Sequence, residues 1–330
     1  IFYGDRSAEI SWKLEGKTYQ EIASLGGGIL SSVNALRNCS EDDLYNYCLE
    51  HTKNFLLYGT TTIEAKSGYG LTLEDEIKSL RVIRRLDNEL KLDIIPTFLG
   101  AHDIPAEFKN TDSYVDMICS EMIPAIADEG LAKFCDVFCE HGFFSVDQSR
   151  KILETAKYFG LAPRLHADEF VDSGAAELAV EIGACSADHL MATSERGVEM
   201  LANSNVISTL LPGTTMFLGS DNYVDARKFI NAGCDIALAT DFNPGTCTIQ
   251  SMGHIMFLGS VMCGLTVDEC FKAVTINPSK SLQIDNVGVI QKGFNADLVI
   301  WNIDSINKII YWFSQKNLIN KVIKNGQVVY

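Results

Sequence analysis

The sequence predicts an α/β protein built as a (β/α)8 TIM-like barrel, with a small extra set of β-strands at its C-terminal end. Three observations predict it. Short runs rich in Val, Ile, Thr and Phe alternate with amphipathic segments of helical length. The strand runs are continuously apolar, which suits a parallel sheet covered by helices. Polar residues collect where those runs end: Glu64, Lys66 and Tyr69, then His102, Glu140, His166 and Glu169, His189 and Asp241. Barrels carry their chemistry at the C-terminal ends of the strands, whereas an open doubly wound sheet gathers it in one crevice.

Taken in order, the strands are expected at Thr61 to Ala65, Leu92 to Leu99, Phe134 to Cys139, Ala162 to His166, Cys185 to His189, Val206 to Leu211 and Asp235 to Thr240. Helices are expected near 73–90, 112–128, 146–159, 173–182, 193–203 and 223–232, and over 41–57 behind Ser40 as N-cap. Gly26-Gly27-Gly28 reads as a turn, because no Lys-Ser/Thr follows it to make a phosphate cradle. An eighth strand, before Ile1, would close the barrel. From about Gly288 the texture changes. Val289 to Gly293, Ala296 to Trp301 and Lys321 to Tyr330 read as antiparallel strands, with Asn325-Gly326 as a hairpin turn. Residues 1–283 are thus expected to form the barrel, and 284–330 the C-terminal strands of a composite β-sandwich.

A chain of 330 residues, 47% apolar and 21% charged, folds into a substantial core and is not generally disordered. Its net charge of −16 argues against a nucleic-acid partner, which needs a basic face. It leaves room for an anionic small molecule, since one arginine and a metal can reverse a local field. Ten cysteines without a CxxC pair read as reduced, buried thiols in a cytoplasmic protein. No apolar run is long enough to span a bilayer, and no signal peptide opens the chain. The start at Ile1-Phe2-Tyr3-Gly4, apolar and without Met, suggests a missing N-terminal segment.

The chemistry centres on Leu165-His166-Ala167-Asp168-Glu169-Phe170. Alone, His-x-x-Glu is a weak signal, more often a helix-surface pair. It gains weight from Ser186-Ala187-Asp188-His189 and from Thr240-Asp241-Phe242-Asn243-Pro244-Gly245. His166, His189 and Asp241 end the strands counted as fifth, sixth and eighth. Imidazole and carboxylate are the donors of zinc and ferrous iron, and a catalytic zinc takes three protein ligands and an open position. Singly, the histidines would be core residues and Asp241 a helix cap. Together, with Glu169 in the same ring, they point to a metal site.

These motifs, with Gly4-Asp5-Arg6, Gly26-Gly27-Gly28-Ile29, Lys66-Ser67-Gly68-Tyr69-Gly70-Leu71, Phe98-Leu99-Gly100-Ala101-His102, Asp136-Val137-Phe138-Cys139-Glu140 and Leu210-Leu211-Pro212-Gly213, resemble the imidazolonepropionase family of the metal-dependent amidohydrolase superfamily. The resemblance runs the length of the chain. It implies hydrolysis of 4-imidazolone-5-propanoate to N-formimidoyl-L-glutamate in histidine degradation, with one divalent metal, zinc or iron, and a homodimer. It implies His166 and Asp241 as metal ligands and Glu169 as the proton shuttle. His189 would orient or deprotonate the attacking water without ligating, one ligand fewer than the residues alone suggest. Asp241 would also exchange a proton with that water, and which group acts first as base is left open. Arg6, Tyr69, His102 and Glu169 are implied to bind substrate, Arg6 gripping its carboxylate. The family's first-strand His-x-His is absent from these 330 residues and would precede Ile1. Two other readings stand beside this one: a sibling hydrolase of another cyclic amide or aminated heterocycle, and a truncated homologue without catalysis.

Overall fold

The structure, a computed structural model, describes residues 1–17, 21–22 and 25–330. Seven parallel strands form one sheet in sequence order: β1 (Thr62–Lys66), β2 (Asp93–Ala101), β3 (Phe134–Cys139), β4 (Ala162–Ala167), β5 (Ser186–His189), β6 (Ile207–Leu210) and β7 (Ile236–Leu238). Every neighbour pairs in parallel. Each predicted strand is present, most trimmed or shifted by one or two residues at an end. Helices cross between consecutive strands and cover the outer face. Leu80, Ile83 and Leu86 of the helix Leu73–Glu89, and Ile152 and Leu153 of Val146–Tyr158, are wholly buried there. Burial on both faces explains why β3 contains no exposed residue. This is the TIM-like barrel architecture, with β1 and β7 as the two sheet edges among the described residues.

Local signals set the helix starts. The Ser40, Thr72 and Asn110 side chains each accept a backbone N–H from the first helical turn, and Ser145 with Gln148 forms a reciprocal capping box. The helix expected over 112–128 is interrupted: Thr111–Met117 and Ile123–Asp128 flank a π-turn, Ile118–Met122. Pro124 lacks the N–H that would bond to residue 120, so the ladder widens before it. Helices at Glu9–Leu14, Ile29–Asn38, Met252–Val261 and Val267–Val274 were not foreseen.

The C-terminal strands need one correction. Val289 to Gly293 forms turns, not a strand. The three strands that do form, β8 (Leu298–Trp301), β9 (Ile319–Lys324) and β10 (Gln327–Val328), pair with one another in the order β10-β9-β8. Asn325 and Gly326 both take positive φ, 50° and 78°, as the predicted hairpin requires. This small sheet is pinned to the barrel by Lys324. Its side chain is 3% exposed and meets Asp93 at the start of β2 and Asp297 before β8. Lys324→Met leaves those two carboxylates facing each other. The expected loss is about 2–3 kcal/mol, less than for a fully enclosed pair because Asp93 is partly solvated. Urea unfolding checks this, and an unchanged midpoint would contradict it.

Candidate active site

A cavity of about 1370 Å³ opens inside the curled sheet, and Arg6, Tyr69, His102, His166, Glu169, His189 and Asp241 all line it. Every candidate residue of the sequence therefore reaches one space. Parallel strands make this possible, because each delivers its last residue and following loop to the same end. His166 lies in β4, His189 ends β5, and Asp241 follows β7. His166 and His189 have ring centroids 5.3 Å apart, and Glu169 Oε1 lies 3.6 Å from His189 Nδ1.

The backbone is held in an unusual shape at this end. Asp168, His189, Leu190 and Asp241 adopt positive φ of 50°, 80°, 67° and 50°. Non-glycine residues rarely do so, and such strain persists only where the surroundings enforce it. Asp168 supplies much of that enforcement. Its carboxylate accepts from the N–H groups of Ser173, Ala175 and Ala176 and from the Thr193 hydroxyl, fixing the turn that carries Glu169. Glu140 also serves as a loop brace: it accepts from the N–H groups of His141 and Phe170 and does not line the cavity.

Electrostatics separate the groups. Burial would lower the His166 pKa, but the ionised Asp136 beside it prevails and raises it to about 9. Burial and the neighbouring His166 keep His189 neutral, far below its ordinary value. Burial and the facing Asp241 raise Glu169 to about 8, and burial also raises Asp241, whose carboxylate accepts from Thr214 Oγ1 at 2.7 Å. Two buried carboxylates, a neutral His189 whose Nδ1 has no hydrogen-bond partner among the described residues, and His166 are donors of the kinds a divalent cation takes.

A trio whose ligand atoms do lie within 4.8 Å of one another is Asp136, His166 and Asp188. It is already served by an internal cation. Lys66 Nζ lies 2.6 Å from Asp136 Oδ2, 2.6 Å from Glu64 Oε1 and 3.7 Å from Asp188 Oδ2. Lys66 is thus an ammonium ion-paired within the sheet interior. In a second acidic group, Asp168 with Asp172 and Glu177, Asp168 is taken up by the loop bonds described above and Glu177 accepts from the Ser194 hydroxyl.

Elsewhere on the cavity wall, His102 Nδ1 lies 2.9 Å from the Gly68 carbonyl, so Nδ1 carries the proton and Nε2 is the acceptor. Burial and the nearby His166 lower its pKa to about 4, keeping the ring neutral. Tyr69 meets the His102 ring edge-on, centroids 5.2 Å apart. Arg6 forks onto Glu9 at 2.7 and 2.8 Å, and Glu9 also accepts from Gly28 N–H. The remaining guanidinium nitrogen, Nη1, packs on Gly245, where a Cβ would come within 2.3 Å of it. His51 sits in an aromatic cluster with Tyr47 and Phe242, and His254 packs on Phe313.

Sequence reading missed Glu9, Asp136 and Thr214, which hold Arg6, His166 and Asp241. Asp136 stood inside a quoted motif, but nothing in its spacing said that it faces a histidine on the next strand. With chelator present, Glu169 makes a testable contribution. Its folded pKa of about 8 lies above the unfolded 4.5, so its stabilising contribution is complete below pH 4.5 and is lost as pH rises to 8. Thermal unfolding should therefore show wild type declining relative to Glu169→Gln across that window. Parallel curves would contradict the burial of Glu169.

The amidohydrolase family's sequence profile matches residues 19–329. An imidazolonepropionase of Alkaliphilus oremlandii is 45% identical over all of this chain and 78% of its own length. One from Porphyromonas gingivalis is 43% identical with the same coverage. Among solved structures, a 5-methylcytosine deaminase from Klebsiella pneumoniae superposes with a TM-score of 0.72 at 16% identity, covering 89% of this chain and 76% of that one. A zinc-bound adenosine deaminase from Xanthomonas campestris gives 0.72 at 14% identity, covering 94% and 74%. At that distance the likeness shows the fold. With the barrel, its ring of strand-end residues and relatives matched along its whole length, the chain belongs to the amidohydrolase family, among the imidazolonepropionases.

Proposed function

We propose that the protein hydrolyses the cyclic amide of 4-imidazolone-5-propanoate to N-formimidoyl-L-glutamate. The observation that carries this reading is the convergence of all seven candidate residues on one cavity, in a chain 45% identical to a protein named imidazolonepropionase. In the reaction, water adds to the ring carbonyl and the C–N bond to the ring nitrogen breaks. The carbonyl carbon becomes the α-carboxylate of the product, and the departing nitrogen takes a proton.

His166 and Asp241 are the residues we assign to hold one divalent metal. Zinc and iron both fit imidazole and carboxylate donors. When bound, the metal supplies a water acidic enough to ionise near neutral pH and polarises the carbonyl. The protein's own groups do the rest. His189, neutral and with Nδ1 unpartnered among the described residues, can orient the water or receive its proton. Glu169, 3.6 Å from that nitrogen, can carry the proton to the leaving nitrogen, and its pKa of about 8 suits a group that both takes and gives protons near neutrality. Asp241 can share that duty.

Substrate orientation follows from hydrogen-bond polarity. The His102 Nε2 acceptor calls for a ring N–H, and Tyr69 stands beside it. Arg6, held by Glu9, keeps Nη1 for the propanoate carboxylate, a charge-assisted contact. Acidic overall charge is no obstacle with this cation in the cavity wall. The same reading places the enzyme in the cytoplasm as a homodimer, by likeness to its family. The structure contributes one fact here: no helix of the described residues is long and apolar enough to cross a membrane.

The test is loss of imidazolone ultraviolet absorbance on adding full-length, metal-loaded protein, with N-formimidoyl-L-glutamate identified as product. Glu169→Gln should lower kcat by roughly 100- to 10,000-fold. Absence of turnover in the wild type would sink the substrate assignment, and an undiminished kcat in the variant would remove Glu169 from the proton path.

A further inference from the structure

Barrel interiors are normally packed with layers of Val, Ile and Leu. Here the interior beneath the site is charged. Glu64 and Lys66 of β1, Asp136 of β3, Arg164 of β4 and Asp188 of β5 form one connected group, with Arg164 Nε 3.1 Å from Glu64. Asp136 is wholly buried and Arg164 is 3% exposed. Lys66 and Glu64 keep 24% and 16% of their side chains exposed. Burying Asp136 and Arg164, however, carries a desolvation cost that ion pairing often does not repay, and apolar replacements of similar volume are often as stable or more so. Their retention therefore calls for a role other than stability.

The geometry points to that role: we propose that Asp136, clamped by Lys66, is the positioning residue that fixes the tautomer and aim of His166. This rests on the assignment of His166 as a metal ligand. In the β3–β4 ladder Asp136 is level with Arg164 and Phe138 with His166, so Asp136 sits two residues below the histidine's level on the same face of the sheet. Its two oxygens have different partners. Oδ2 meets the Lys66 ammonium at 2.6 Å, and Oδ1 meets His166 Nδ1 at 3.0 Å. An oxygen of an ionised carboxylate accepts only, so Nδ1 keeps its proton, and Nε2 is the nitrogen that gives its proton up when the ring becomes a ligand. The imidazole can then ligate only through Nε2, with its ring plane held from behind, the arrangement by which buried carboxylates tune metal-binding histidines.

Lys66 makes the clamp selective. Three carboxylates, Glu64, Asp136 and Asp188, surround two cations, Lys66 and Arg164, so the group keeps an excess negative charge directed at His166. With Lys66 bonded to Oδ2, the Asp136 carboxylate cannot rotate away from the imidazole without losing that bond.

Two measurements test the proposal. Asp136→Asn preserves shape, but its amide can donate to Nδ1 and so favour the wrong tautomer. Full-length Asp136→Asn should bind zinc roughly 10- to 100-fold more weakly in chelator competition. In zinc-loaded wild type, which needs no variant to fold, histidine-¹⁵N NMR should show the His166 proton on Nδ1 and the metal on Nε2. Wild-type zinc affinity in Asp136→Asn, or zinc on Nδ1 in the wild type, would overturn the proposal. Zinc bound as tightly by His166→Ala as by wild type would instead remove the ligand assignment beneath it.

Discussion

The bond from Asp136 Oδ1 to His166 Nδ1, backed by the Lys66 ammonium, is the constraint on which the site depends. It decides which imidazole nitrogen faces the cavity and commits Lys66 to the barrel interior. It also separates two places that a cation might otherwise share. Below the His166 ring, three carboxylates are paired with only Lys66 and Arg164, which leaves an excess of negative charge facing the ring. Above it, Glu169 and Asp241 face each other beside His166, and burial pushes both toward protonation although the charge on the imidazole opposes it.

A second device recurs around the rim. The loops after the strands are braced by acceptors that gather several backbone N–H groups. Glu76 accepts from Gly68, Gly70 and Leu71, and so shapes the loop that presents Tyr69. Asp168 does the same for the loop carrying Glu169, and Asn243 for the turn after Asp241 through Gly245 and Thr246. Each brace replaces regular secondary structure with a short, fully bonded turn, which is how loop residues are held as rigidly as strand residues. The left-handed backbone at His189 and Asp241 is tolerable because these turns leave no alternative path.

Much of this was legible in the sequence because the signals were local. Continuous apolar runs gave the seven strands nearly to the residue, Ser40 and Ser145 marked helix starts, and Asn325-Gly326 marked the hairpin. The ring of His166, Glu169, His189 and Asp241 was legible because strand ends in a parallel barrel share one face. What escaped was non-local. The partners of Arg6, His166 and Asp241 lie on other elements or loops, and no periodicity reports who faces whom across a barrel. The C-terminal strands misled for a related reason. Val289 to Gly293 has strand-like composition but no strand neighbour among the described residues, whereas β8, β9 and β10 found partners in one another.

Diffraction from crystals of full-length protein loaded with zinc, using the metal's anomalous signal, bears most directly on the account. The account predicts one peak on the Nε2 side of His166, shared with Asp241, with Lys66 still against Asp136. A peak among Asp136, Asp188 and His166 Nδ1, with Lys66 displaced, would contradict it.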